Sequence, residues 1–175
     1  YRQTWSQIIT QLIEDEDFGL QLKKEIHRTA DLDTELKTVE KQYEKMLVIH
    51  KYVRNNMEWN GFDNIWALEG VKSAWKDKKG TSGEINLVLV NLLKDAGLDA
   101  NPVLVSTREH GIVNRFEPSI RQFDKVMAYV RINEPGKSKI YVLDATDKYT
   151  PSHLIPQEVM YSNGLVIEKL GYNRY

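Results

Sequence analysis

Apolar residues recur along this chain with two different periods. Up to about Ala96 they return at helical spacing, and from Pro102 onward they alternate. Trp5, Ile8, Ile9, Leu12 and Ile13 predict a first helix, with Thr4 or Ser6 as its cap. Phe18, Leu20, Leu22 and Ile26 predict a second, short helix after the acidic run Glu14–Asp17. Leu36, Val39, Tyr43, Met46, Leu47, His50 and Val53 lie on one face of a single longer helix expected from Asp33 to Asn55. Residues 55–79 lose the period, and Trp59, Phe62, Trp66 and Trp75 fall there among Asn, Gly and Lys. That stretch reads as irregular, its aromatics pinning it to a core or lining a cleft.

A compact helix is expected from Ser82 to Ala96. Ile85, Leu87, Val88, Leu89, Leu92 and Leu93 cover nearly its whole circumference, which predicts a buried central helix. Gly97 stands where a helix-ending glycine belongs. Pro102–Thr107, Val126–Ile132 and Lys139–Ala145 read as strands, and Asn133–Ser138 as the loop of a hairpin between the last two. Gly164–Leu170 is a further strand candidate. Helices followed by an antiparallel sheet predict an α+β fold. The reading is one domain over 1–175, with a helical part at 1–57 and a helix-plus-sheet core at 79–170.

The chain has 175 residues and no initial Met, and it is expected to be a piece of a longer protein. A net charge of −1 gives no electrostatic reason to expect nucleic acid. No apolar run approaches the roughly 20 residues that span a bilayer, so this segment is not expected to insert in a membrane. There is no cysteine, which removes disulfides, thiolate metal sites and a thiol nucleophile. His27, His50, His110 and His153 show no metal-ligand spacing, and glycines at a phosphate-cradle spacing are missing. Neither a metal nor a cofactor is expected.

Three segments carry a resemblance. The first is Lys79-Gly80-Thr81-Ser82-Gly83-Glu84, running through the helix to Leu92-Leu93-Lys94-Asp95-Ala96-Gly97-Leu98-Asp99-Ala100. The second is Phe123-Asp124-Lys125-Val126-Met127-Ala128-Tyr129-Val130, and the third Tyr141-Val142-Leu143-Asp144-Ala145-Thr146-Asp147. In this order, supported by Tyr52–Asn56 upstream, they resemble the transglutaminase-like superfamily of papain-like fold. The closest resemblance is to the versions found in exported bacterial proteins of Bacteroidetes type. It implies a periplasmic or cell-surface setting and neighbouring domains in the same chain.

The resemblance also implies a Cys-His-Asp site: a thiolate at the start of the central helix, a His at the start of one strand, and an Asp that orients it. Carried over by position, these places hold Ser82, Lys125 and Asp144, so only the acid remains. A Ser-Lys pair could in principle replace the lost groups. That requires lowering a lysine from about 10.4 to about 7, roughly 4 kcal/mol against the charged form. Asp144, and Asp124 beside Lys125 in sequence, push the other way. Ser82 also fits a capping box, Thr81 to Glu84, and Lys125 with Asp144 reads as a salt bridge.

The expectation is a non-catalytic binding or scaffolding module for a peptide or a glycan. A hydrolase or acyltransferase using Ser82 with Lys125, and a purely structural domain, are the alternatives. Candidate ligand contacts are Trp59, Trp66, Arg108, His110, Asp147 and Tyr149.

Overall fold

The computed structural model describes residues 3–106, 113–147, 153–154 and 164–168. The first helix, α1 (Trp5–Glu14), is closed at its start by a reciprocal cap. The Gln7 N–H donates to the Thr4 hydroxyl and the Thr4 N–H to the Gln7 side chain. Its buried residues are Ile8 and Leu12. The expected second helix is a short 3₁₀ segment, Gly19–Lys23.

The long helix expected from Asp33 to Asn55 is instead two, α2 (Ala30–Leu36) and α3 (Gln42–Asn56). The chain leaves α-helical pairing in a tightened last turn: the Thr38 N–H and hydroxyl both donate to the Glu35 carbonyl, at 3.1 and 2.7 Å, and the Val39 N–H donates to the Leu36 carbonyl at 3.4 Å. The apolar stripe spans the break because α2 and α3 both bury residues in the same core, Leu32 and Leu36 from one, Met46, Ile49 and Val53 from the other.

The stretch expected to be irregular contains a helix, α4 (Val71–Asp77), which ends at Lys78 with φ +58°. Two-residue strands β1 (Glu58–Trp59) and β2 (Lys79–Gly80) flank it and pair in parallel. The central helix α5 (Ser82–Asp95) forms as predicted, and every residue from Ser82 to Leu93 is buried. Gly97, at φ +86°, closes it: its N–H reaches the Lys94 carbonyl and the Leu98 N–H the Leu93 carbonyl.

The sheet that follows comprises β3 (Asp99–Val105), β4 (Lys125–Glu134), β5 (Lys137–Leu143), β6 (His153–Leu154) and β7 (Gly164–Val166). Its order is β6-β5-β4-β3-β7, antiparallel throughout. The expected hairpin loop 133–138 tightens to Pro135-Gly136, because Asn133 pairs with Ser138 and Glu134 with Lys137 across the ladder. Gly136 takes φ +89°, which a residue with a side chain rarely adopts.

Val126, Ala128, Val130 and Ile132 of β4 belong to the main core together with α5. Alternation sends Val103, Tyr129 and Val142 into a smaller cluster apart from it. The fold is therefore α+β, a buried helix between a helical layer and an antiparallel sheet. Among the described residues, no helix is long and apolar enough to cross a membrane.

Candidate functional site

The start of α5 is keyed to its surroundings by one carboxylate. Glu84 is 3% exposed; its Oε1 accepts the Thr81 N–H at 3.0 Å and its Oε2 the Glu69 N–H at 2.9 Å. Its own N–H donates to the Thr81 hydroxyl, completing the predicted capping box. Gly83 follows because the loop before α4 presses on the helix: a Cβ there would lie 2.6 Å from the Asn64 carbonyl oxygen and 3.0 Å from that of Trp66.

Ser82 opens the helix with no exposed surface, and its hydroxyl has no hydrogen-bond partner. An unpartnered buried hydroxyl costs about 1–3 kcal/mol. The Ser82 N–H, by contrast, is satisfied. It donates to the carbonyl oxygen of Phe62 at 3.0 Å, and the Trp59 indole N–H donates to that same oxygen at 2.9 Å.

Lys125 begins β4, and Asp144 follows the last residue of β5, so adjacent strands bring them together. Lys125 Nζ lies 2.6 Å from Asp144 Oδ2 and 3.9 Å from Asp63 Oδ1, and it donates to the Thr146 hydroxyl at 3.4 Å. The ammonium is also 6.0 Å from the centre of the Trp59 ring, in cation–π range. Thr146 holds the other carboxylate oxygen of Asp144 through its N–H at 2.9 Å and its hydroxyl at 2.6 Å. Burial pushes the Asp144 carboxyl upward. The hydrogen bonds from Lys125 and Thr146 outweigh it, and the net pKa lies below the ordinary carboxylate value.

Two residues that sequence reasoning did not place at the site complete the arrangement. Asn86, one turn along α5 from Ser82 and fully buried, donates to the Val126 carbonyl at 2.8 Å and to Asp144 Oδ1 at 3.1 Å. Its own side-chain oxygen accepts the Ala145 N–H at 2.9 Å. The signal for it was a polar residue inside an otherwise apolar helix turn, since a buried amide needs partners. His50 of α3 is 2% exposed, with Nε2 3.1 Å from the Asp144 carbonyl oxygen. A carbonyl only accepts, so Nε2 carries the proton. Burial lowers the pKa of this imidazole to about 4, which keeps it neutral near pH 7. Its signal was its place on the core face of α3, between Met46 and Val53.

The structure thus brings Ser82, Lys125, Asp144 and Trp59 into one neighbourhood, with Asp63 as an acid that sequence did not single out. The Ser82–Lys125 hydrogen bond that a serine hydrolase would need is not made, because the Ser82 hydroxyl bonds to nothing. Trp59 is 39% exposed beside Lys125. Trp66 is half-buried and packs edge-on against Phe18, on the core. Asp147 lies just past Thr146, and its charge acts on His50. Arg108, His110 and Tyr149 lie outside the described residues. Among the described residues, no group of His, Asp and Glu could hold a metal ion. A cavity of about 370 Å³, lined by Lys24, Glu25, His27, Asn91, Lys94 and Asp95, sits at the far end of α5 from Ser82.

No protein-family model matches the chain, and no curated protein does. Among solved structures, the chain is similar to a crystal structure from Parabacteroides distasonis of a protein named as a candidate protease. The TM-score is 0.53 and the identity 14%, over 85% of this chain and 30% of the other. The likeness is one of fold, and this chain corresponds to under a third of that protein's length.

Proposed function

We propose that this chain is a non-catalytic binding module built on a transglutaminase-like fold. One observation carries the reading: at the three positions where the resemblance expects Cys, His and Asp, the lysine and the acid hold each other and the serine hydroxyl bonds to neither, which leaves no base for a nucleophile. The Lys125 ammonium is held at 2.6 Å by Asp144, with Asp63 at 3.9 Å and Thr146 as a further acceptor. The nitrogen that would have to act as base is occupied by these acceptors, and a lysine engaged in this way activates no hydroxyl. The buried Ser82 hydroxyl has no contact through which a proton could leave.

What remains is a surface suited to contact. Trp59 and Phe62 are 39% and 69% exposed beside the Lys125–Asp144–Asp63 group, a pairing of aromatic rings with fixed charge that suits a peptide or a glycan. The fold likeness to a protein named as a candidate protease favours a peptide-sized cleft. The resemblance in sequence adds an exported bacterial setting, with neighbouring domains as further partners.

Two measurements test this. A fluorophosphonate probe followed by intact-mass analysis should leave Ser82 unlabelled; a Ser82 adduct would establish the hydrolase alternative instead. Peptide and glycan arrays probed with the folded chain should return a ligand whose binding weakens on Trp59→Ala. Arrays without any ligand would reduce the domain to a structural role.

A further inference from the structure

The cavity of about 370 Å³ at the C-terminal end of α5 is a groove with two unlike walls. One is a helix face carrying Asn91, Lys94 and Asp95. The other is the stretch Lys24–His27, which leaves the 3₁₀ segment with Lys24 in extended backbone, φ −73° and ψ 137°. Bonds on either side of that stretch tie the walls together. Before it, Asn91 Nδ2 donates to the Gln21 carbonyl at 3.2 Å; after it, Arg28 Nε lies 3.2 Å from Asp95 Oδ2. The Trp75 indole N–H also donates to the His27 carbonyl at 3.0 Å, so the extended wall is pinned at a third point. The groove is therefore formed before any ligand arrives.

Asn91 is 8% exposed, the one buried polar residue of the lining. Both hydrogens of its amide are used, on the Gln21 carbonyl and, at 3.0 Å, on the Leu87 carbonyl. Two carbonyl partners also fix which end of the amide is nitrogen. Its Oδ1 makes no hydrogen bond among the described residues, and it is the polar atom left for the cavity. A ligand must bring a donor to it.

The charges set a second requirement. Asp95 is taken by Arg28, whereas Lys24 and Lys94 make no ion pair among the described residues. Glu25 is the one uncommitted carboxylate against them, so the lining has an ammonium to spare. Lys94 stands three residues beyond Asn91 on the same helix face, and long helical side chains lean toward the N-terminus. That sets an ammonium within reach of a group bonded to the Asn91 oxygen.

We propose that this groove binds the C-terminal residue of a peptide, its amide N–H donating to Asn91 Oδ1 and its terminal carboxylate meeting Lys94 and Lys24. In such a residue one carbon separates the N–H from the carboxylate, a spacing that suits an acceptor and an ammonium one helical turn apart. The preceding peptide residue runs along Lys24–His27, where the N–H groups of Glu25, Ile26 and His27 bond to nothing among the described residues. The site is at the other end of α5 from Ser82 and does not rest on the binding-module reading.

The test uses the full chain with ¹⁵N labelling and four probes: acetyl-dialanine, its methylamide, acetyl-alanyl-N-methylalanine and free alanine. Acetyl-dialanine should shift the Asn91 side-chain amide and the Trp75 indole resonances and leave the Trp59 indole in place. It should bind about tenfold more tightly than the methylamide, which has lost the carboxylate, the worth of one charge-assisted hydrogen bond. The N-methyl analogue, which has lost the donor, should bind roughly three- to tenfold more weakly. Lys24→Met and Lys94→Met change exposed side chains that leave no partner stranded. Each should weaken acetyl-dialanine roughly three- to tenfold and leave the methylamide unaffected.

Equal affinity for the methylamide, or for the N-methyl analogue, overturns the proposal. Free alanine binding as tightly as acetyl-dialanine overturns the peptide in favour of an amino acid. Shifts that gather around Trp59 and Lys125 and pass over Asn91 overturn this site while the binding-module reading stands.

Discussion

Asn86 is a single amide that joins three chain segments, so its removal gives the sharpest energetic prediction. The side chain is fully buried, donates to Val126 on β4 and to the Asp144 carboxylate, and accepts from Ala145 beyond β5. Its orientation is settled by this network, since a reversed amide would set oxygen against oxygen at Val126. Asn86→Ala leaves the Ala145 N–H without this partner, takes a bond from the Val126 carbonyl and opens a small void. Each stranded buried group costs about 1–3 kcal/mol, so the expected loss is about 3 kcal/mol, a large part of the roughly 5–15 kcal/mol that holds a domain together.

In urea unfolding followed by tryptophan fluorescence, the midpoint should fall by about 1–2 M. In thermal melts the midpoint should fall by about 6–12 °C. Asn86→Asp keeps an acceptor for Ala145 but places a second carboxylate against Asp144. That variant should be worse at pH 7 than at pH 4, where protonation relieves the repulsion. An Asn86→Ala protein within about 0.5 kcal/mol of the wild type, or an Asn86→Asp protein indifferent to pH, would refute the bridging role.

Gly83→Ala should cost about 1–3 kcal/mol in a melt despite the better helix propensity of alanine, because its Cβ would lie 2.6 Å from a backbone oxygen. A variant as stable as the wild type would show that the loop before α4 yields. Stability should fall as pH drops from about 6.5 to 4, since the unfolded chain protonates His50 while the buried ring, with its pKa near 4, does not. The effect reaches at most roughly 3 kcal/mol, and His50→Gln should flatten urea midpoints across that window. Asp144 adds a separate loss at lower pH: its carboxyl is depressed, so its stabilisation is present above the ordinary carboxylate value and disappears as pH falls through the folded one. Lys125→Met should destabilise by about 2–4 kcal/mol at pH 7 and by less at pH 4, because it strands Asp144 next to Asp63. Equal midpoints at pH 7 would mean the ion pair contributes nothing.

The parts of the fold visible in sequence were those written in local chemistry. The capping box at Thr81, the all-round apolar α5, Gly97 as its closing residue and the alternation of β4 and β5 each follow from residue type and spacing. The break between α2 and α3 was hidden because the apolar stripe runs through it. α4 was hidden because its seven residues are too few to show a period.

At the site, the Lys125–Asp144 pair followed from motif order, and its 2.6 Å contact is as expected. Asp63, Asn86 and His50 reach the same place from a loop and two helices, with sequence separations that no local pattern records. The convergence of Ser82 and Trp59 on one carbonyl is less legible still, since it is made by backbone atoms that every residue shares.

The burial of α5 from Ser82 to Leu93 has a cost during synthesis. Its last residue is made roughly fifty residues before β5 ends, so the strands that cover one side do not yet exist when the helix is finished. At about 5–20 residues per second, a nascent chain carries an apolar cylinder with one bare flank for about 3–10 s. Translation stalled between Asp95 and Leu143 therefore yields a sticky intermediate, and chains cut short there should need chaperones to stay dispersed.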